Sequence, residues 1–269
     1  MSDGRGLDRD GCFLREGALD RVAPEFAPVV TAARDGITAR FGPALLHSAY
    51  LYGSIPRGTA VPGVSDLDLL LALRAGPTPE DRTAADALEA ELDAAFPQID
   101  GVGILLFGVD RLLSDLERHD MGWFVACLCT PLSGPDLAGR LPRYRPTPLL
   151  ARETNGDLFR LLPGLRRKAA GASSGAERRR LTRSTARLLV RAGFTLVMPR
   201  WGGWTSDLAE SAEVFGRYYP AHAQQMRAAA RAARAPDDHP HLLDELLEGL
   251  APWLAAEYLA VHGPKAPRP

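Results

Sequence analysis

The sequence predicts an α+β fold, a mixed sheet with helices followed by an all-α helical bundle. Three observations predict it. Short apolar runs at 45–52, 66–73 and 102–109 have strand length and are bounded by turn residues. A helix signal stands between the second and third runs. Beyond the proline-rich segment 141–148 (LPRYRPTP) the strand pattern stops and helical stretches follow one another.

Residues 27–40 read as a helix that ends at Phe41-Gly42-Pro43, where glycine and proline stop it. The strand at 45–52 runs into Gly53-Ser54. The run at 66–73 (DLDLLLAL) is a second, mostly buried strand. Thr78 can cap the next helix and Pro79 suits its first position. Ala84, Leu88 and Leu92 then mark its apolar side as far as Ala95. Residues 102–109 give a third strand and 123–130 a fourth. Four helical stretches follow, at 151–169, 176–198, 206–234 and 241–261. Gly and Ser at 171–175 and prolines in 199–203 and 236–240 separate them. The expected organisation is an extension at 1–24, a first domain at 25–145, a helical domain at 146–262 and a disordered tail at 263–269.

The composition, 46% hydrophobic and 24% charged over 269 residues, excludes wholesale disorder. No apolar run reaches membrane-span length, and the start MSDGRGLDRDG lacks the apolar stretch of a secretory signal. Cys12, Cys127 and Cys129 show no CxxC spacing, which argues against a disulfide framework or zinc knuckle. Cys127 and Cys129 read as core residues on one strand face. A cytoplasmic protein is expected. A net charge of −1 disfavours general binding to nucleic acid. That total conceals an opposition: residues 1–145 hold 14 basic and 21 acidic side chains, the remainder 18 and 12.

The stretch 52–73 (YGSIPRGTAVPGVSDLDLLLAL) carries the chemistry. Asp66 and Asp68, two residues apart on a strand, point to one face. Two like charges there are costly unless a cation or proton joins them. Hard oxygen donors on one face suit Mg²⁺, which takes one or two carboxylates plus substrate phosphates. Two solvated aspartates at a strand edge are the plainer reading. Gly53 lets backbone approach a phosphate closely, and Ser54 can cap a short following helix that tolerates Pro56 in its first turn. Arg57 could add a charge-assisted contact, and Ser65 stands beside the carboxylates.

This combination resembles the nucleotidyltransferase superfamily, whose fold is shared with DNA polymerase beta. The resemblance spans roughly residues 25–140. It implies Gly53 and Ser54 as phosphate-holding residues, and Arg57 and Ser65 join them in the expected nucleotide-binding set. It implies Asp66 and Asp68 as ligands of two Mg²⁺ ions, with ATP as the expected nucleoside triphosphate and pyrophosphate as the leaving group. The family usually adds a third carboxylate from a later strand. By register this falls near Gly103, which cannot supply it. Asp100, before that strand, is taken as the third catalytic carboxylate, with Asp110, after it, as the alternative. Their plainer readings are a turn residue and a helix cap.

The C-terminal half resembles, more loosely, helical domains of aminoglycoside nucleotidyltransferases and HEPN-type partners of minimal nucleotidyltransferases. The stretches 201–208 (WGGWTSDL) and 215–220 (FGRYYP) carry this. Asp207 reads as a helix cap; Asp207 or Glu210 as a general base is the other reading. Trp201 and Trp204 read as packing or as stacking surfaces for a ring. Arg179, Arg183, Arg187 and Arg191 recur every fourth residue, so one helix face carries repelling charges unless an anion faces it. Arg187 is therefore added to the nucleotide-binding set. The expected function is AMP transfer to a hydroxyl-bearing small molecule, an aminoglycoside being the family-level example. The alternatives are an inactive interaction module and a modifier of RNA or protein hydroxyls.

Overall fold

The structure is a computed structural model and describes residues 5–235 and 241–268. It is an α+β protein whose chain forms two compact units, one of residues 14–144, the other of 1–13 with 145–269.

In the first unit, α1 (Ala27–Leu45) leads into β1 (Leu46–Tyr52), the four-residue α2 (Ser54–Arg57) and β2 (Leu67–Leu73). Then come α3 (Pro79–Ala95), β3 (Val102–Gly108), α4 (Val109–Leu112) and β4 (Thr130–Ser133). The strands form one sheet in the order β3-β2-β1-β4. β1 is antiparallel to β2 and β4, whereas β2 and β3, joined through α3, are parallel. The break expected at Gly42 is present inside α1, where its φ of 56° and ψ of 169° interrupt the helix. Thr78 and Asp81 start α3 with reciprocal bonds: Thr78 Oγ1 accepts from Asp81 N–H at 3.3 Å, and Asp81 Oδ2 accepts from Thr78 N–H at 2.8 Å.

β2 is central and buried on both faces, which explains its nearly continuous apolar run. Leu67, Leu69, Leu71 and Leu73 pack under α1 and α3 with Ile37, Phe41, Leu88 and Leu92. Leu70 and Ala72 pack on the other face with Tyr50, Leu112, Val125 and Leu137. Residues 123–130 do not form the expected strand. Phe124–Leu128 is a wide helical turn, and the fourth strand starts only at Thr130. A short apolar run bears no mark that separates a strand from a buried helical turn. Cys127 therefore lies in that turn and Cys129 on extended backbone after it, both buried as free thiols.

In the second unit the helices are α5 (Pro148–Asn155), α6 (Leu158–Gly171), α7 (Gly175–Trp201), α8 (Leu208–Tyr218), α9 (Ala223–Arg234), α10 (Leu242–Glu245) and α11 (Ala251–His262). The expected stretch 151–169 is broken near Gly156, and 206–234 is broken at Tyr219–His222 around Pro220. The break expected at 236–240 lies outside the described residues. α7 buries Leu189, Val190, Phe194, Leu196 and Val197. Residues 5–13 belong with these helices: Arg5 Nη1 donates to Trp201 O at 2.7 Å, and Trp204 N–H donates to Arg5 O at 2.8 Å. Residues 263–268, read above as part of a disordered tail, carry specific contacts. Lys265 N–H donates to Gly156 O, and Arg268 pairs with the buried Glu153 at 3.0 Å.

His262 gives this unit a pH dependence. Its Nε2 donates to Leu196 O at 2.9 Å, and its Nδ1 is buried without a partner. Burial holds its pKa below 6.5, against the smaller opposing effect of the Leu196 bond. The unfolded chain therefore takes up this proton first as pH falls. Stability supplied by the neutral ring is complete above about 6.5 and declines below it. Urea denaturation at about pH 7.5 and about pH 5 should show this loss in wild type and a smaller one in His262→Gln. Equal losses in both proteins would assign the effect to other groups.

Candidate active site

β2 positions the two carboxylates. Asp66 immediately precedes the strand and Asp68 is its second residue. On extended backbone they share the face of Leu70 and Ala72. Apolar side chains bury that face around Leu70, yet Asp66 and Asp68 are only half-buried, so the cover ends before it reaches them. Direct cross-strand partners of Asp68 are Tyr52 on β1 and Gly103 on β3. The Tyr52 ring stands edge-on to Phe124, with centroids 4.9 Å apart.

The turn after β1 brings Gly53 to the same carboxylate. Gly53 has φ 82° and ψ −152°, a conformation that essentially only glycine adopts. A Cβ there would overlap Asp68 Oδ2. The bare α-carbon is thus what allows the Gly53-Ser54 turn and Asp68 to lie side by side. Ser54 is the first residue of α2 rather than its cap; Gly53 is the cap residue, and no side chain caps this helix. The Ser54 carbonyl accepts from Thr59 N–H at 3.1 Å and so closes the start of the loop.

Arg57 and Ser65 have structural partners. Arg57 Nη1 lies 3.4 Å from Glu16 Oε2, a long ion pair. Ser65 Oγ accepts from Val61 N–H at 2.9 Å, and its carbonyl accepts from Asp100 N–H at 3.0 Å. Ser65 therefore fixes the loop that ends at the carboxylates, while its hydroxyl proton remains able to donate.

The parallel register separates the two candidates for a third carboxylate. Gly108 pairs with Leu73, so Asp110 follows at the end of the sheet remote from Asp66 and Asp68. It lies exposed in α4, whose cap residue is Gly108 rather than Asp110. Asp100 stands at the near end, exposed, with its N–H on Ser65 O where the register of β3 begins. The position directly beside Asp68 is Gly103, as the register expectation had it. A Cβ at Gly103 would lie 3.8 Å from Asp68 Oδ1, and one at Gly101 3.8 Å from Asp66 Oδ1. β3 therefore offers bare backbone beside both carboxylates.

Acids on α3, not singled out from the sequence, protect the outer edge of β3. Glu89 Oε1 accepts from Ile104 N–H at 2.8 Å, and Arg82 Nη1 donates to Ile104 O at 2.6 Å. Asp93 accepts from Val102 N–H. Partial burial pushes the Asp93 carboxyl above its ordinary range, opposed by that hydrogen bond and assisted by the charges of Glu89 and Asp66. The signal available in the sequence was the i,i+4 spacing of Glu89 and Asp93 on one helix face.

The remaining candidates lie in the other unit. Arg179 and Arg191 are exposed and Arg183 and Arg187 half-buried along α7. Asp207 caps α8 by accepting from Glu210 N–H at 2.8 Å, and Glu210 accepts the Thr205 hydroxyl at 2.5 Å. Trp201 is buried against Phe194, with ring centroids 5.6 Å apart, and Trp204 is half-buried beside the same ring.

Among the described residues no three His, Cys, Asp or Glu side chains come together as a metal-holding group. Asp66 and Asp68 supply hard oxygen donors on one face, part of an Mg²⁺ shell that phosphate oxygens and water would complete. No described helix is long and apolar enough to cross a membrane. Comparison with protein-family models and with curated protein sequences finds no match.

Proposed function

We propose that this chain is a Mg²⁺-dependent nucleotidyltransferase, with a nucleotidyltransferase-type sheet in residues 14–144 and a helical bundle in the other unit. It transfers AMP from ATP to a hydroxyl of a small molecule, such as an aminoglycoside. The observation that carries this reading is the seat of Asp68 against the bare Gly53. It joins the Gly-Ser turn and the carboxylate pair at one sheet end, although a loop separates them in sequence.

In this reading Asp66 and Asp68 hold the metal, and Gly53 N–H and the Ser54 hydroxyl bind phosphate oxygens. Bound Mg²⁺ would offset triphosphate charge and polarise the α-phosphorus. The acceptor oxygen bonds to that phosphorus as its bond to the pyrophosphate oxygen breaks. The acceptor proton passes to a base, for which Asp100 is the carboxylate offered at this end of the sheet.

The test is incubation with Mg²⁺ and ATP labelled at the α-phosphate, together with aminoglycosides, RNA and protein acceptors. Label on a hydroxyl acceptor with release of pyrophosphate is the expected result, and the labelled class identifies the acceptor. Gly103 beside Asp68 favours one second reading, an inactive nucleotide-binding module that regulates a partner. Tight binding of an ATP analogue without label transfer to any acceptor would replace the first reading by the second.

A further inference from the structure

We infer, resting on the nucleotidyltransferase reading above, that the carboxylate pair seats one divalent cation rather than two, and that Gly103 is the position that keeps a second cation from being held. Mg²⁺ needs a near-octahedral oxygen shell. Asp66 and Asp68 can supply part of one such shell, with triphosphate oxygens and water supplying the rest. A two-ion clamp sets its ions roughly 3.5–4 Å apart and needs further protein oxygens for the second.

Those oxygens would have to come from the β3 side of the pair, where Gly101 and Gly103 lie directly beside Asp66 and Asp68. The acids of α3 do not replace them. Glu89 is bonded to Ile104 N–H, and Asp93, although the charge of Asp66 reaches it, is engaged by Val102 N–H on the outer edge of β3. Tyr52, on the other side of Asp68, provides a ring and not a carboxylate. The seat for a further ligand is nevertheless sterically available. Gly103 is not in the left-handed region, and a Cβ there meets Asp68 Oδ1 at 3.8 Å, an ordinary contact. An aspartate at this position would add its carboxylate to the existing pair without backbone strain.

The experiment counts bound Mn²⁺ by electron paramagnetic resonance of the free ion. It is done with an ATP analogue whose α- and β-phosphorus atoms are joined by a methylene group. Wild type, Gly103→Asp and Asp100→Asn are compared. The expected result is one Mn²⁺ per chain in wild type and Asp100→Asn, and two in Gly103→Asp. Gly103→Asp should also melt below wild type in EDTA, because three carboxylates repel, and regain that loss on addition of Mn²⁺. Two ions on wild type, one of them lost in Asp100→Asn, would overturn the inference and make Asp100 the third ligand while leaving the nucleotide reading intact. A Gly103→Asp protein with a native circular dichroism spectrum and still one ion would also overturn it. Wild type that binds neither the analogue nor Mn²⁺ would overturn the nucleotide reading itself.

Discussion

If the proposed nucleotidyl transfer holds, Asp68→Asn is expected to lower it by roughly a thousandfold, the equivalent of about 4 kcal/mol of transition-state stabilisation from a held metal ion. Asparagine has nearly the shape of aspartate, so the seat against Gly53 and the pairing with Tyr52 and Gly103 should be kept. Only the charge is lost, and an amide oxygen is a far weaker ligand for Mg²⁺. The melting temperature in EDTA should stay near that of wild type, because the side chain keeps its shape and seat. Binding of an ATP analogue should lose its dependence on added Mg²⁺. Asp110→Asn is the matched control, since it removes the same charge from the remote end of the sheet. It should change transfer by less than about twofold, as an exposed surface substitution does. Equal losses in the two variants would mean that general acidity, not the carboxylate pair, is responsible.

What could be read from the sequence follows how local each determinant is. The run DLDLLLAL announced β2 because a strand buried on both faces must be apolar throughout, while its polar start marks where the cover ends. Thr78 and Pro79 announced α3 because capping is decided within four residues. Gly103 could be anticipated beside Asp68 by aligning the apolar runs 66–73 and 102–109, where the resemblance calls for a third carboxylate. Non-local determinants were hidden. Nothing near residues 5–13 says that Arg5 binds Trp201 O, 196 residues away. Trp123 to Leu128 is apolar enough for either a strand or a buried helical turn, and only packing against Tyr50 and Leu70 decides between them. Glu89 and Asp93 carry no mark that separates them from surface acids of an amphipathic helix, since their partners are main-chain N–H groups of β3 that sequence does not display. The candidate site was therefore legible where two short motifs lie in it, and illegible where backbone groups complete the arrangement.

Gly53→Ala should separate the geometry of the turn from its mere presence. Gly53 has φ 82° and ψ −152°, so an alanine there bears a strain of about 1–3 kcal/mol. Its methyl group would also overlap Asp68 Oδ2. The chain can relieve that overlap only by moving the turn or the carboxylate, and on the proposed reading either movement would separate the phosphate donors from the metal ligand. Gly63→Ala provides the comparison. Gly63 has φ 70°, again strained for alanine, but a Cβ there meets no atom within 4 Å. Both variants should lose stability to urea by about 2 kcal/mol. Gly63→Ala should nevertheless bind the ATP analogue with Mg²⁺ as wild type does. Gly53→Ala should bind it at least about tenfold more weakly under conditions where it remains folded, because a shift of 1 Å in a ligating group is enough to spoil a Mg²⁺ shell. Equal analogue binding by both variants would mean that the close approach of Gly53 to Asp68 serves the fold alone, and the phosphate donors would then have to be sought elsewhere.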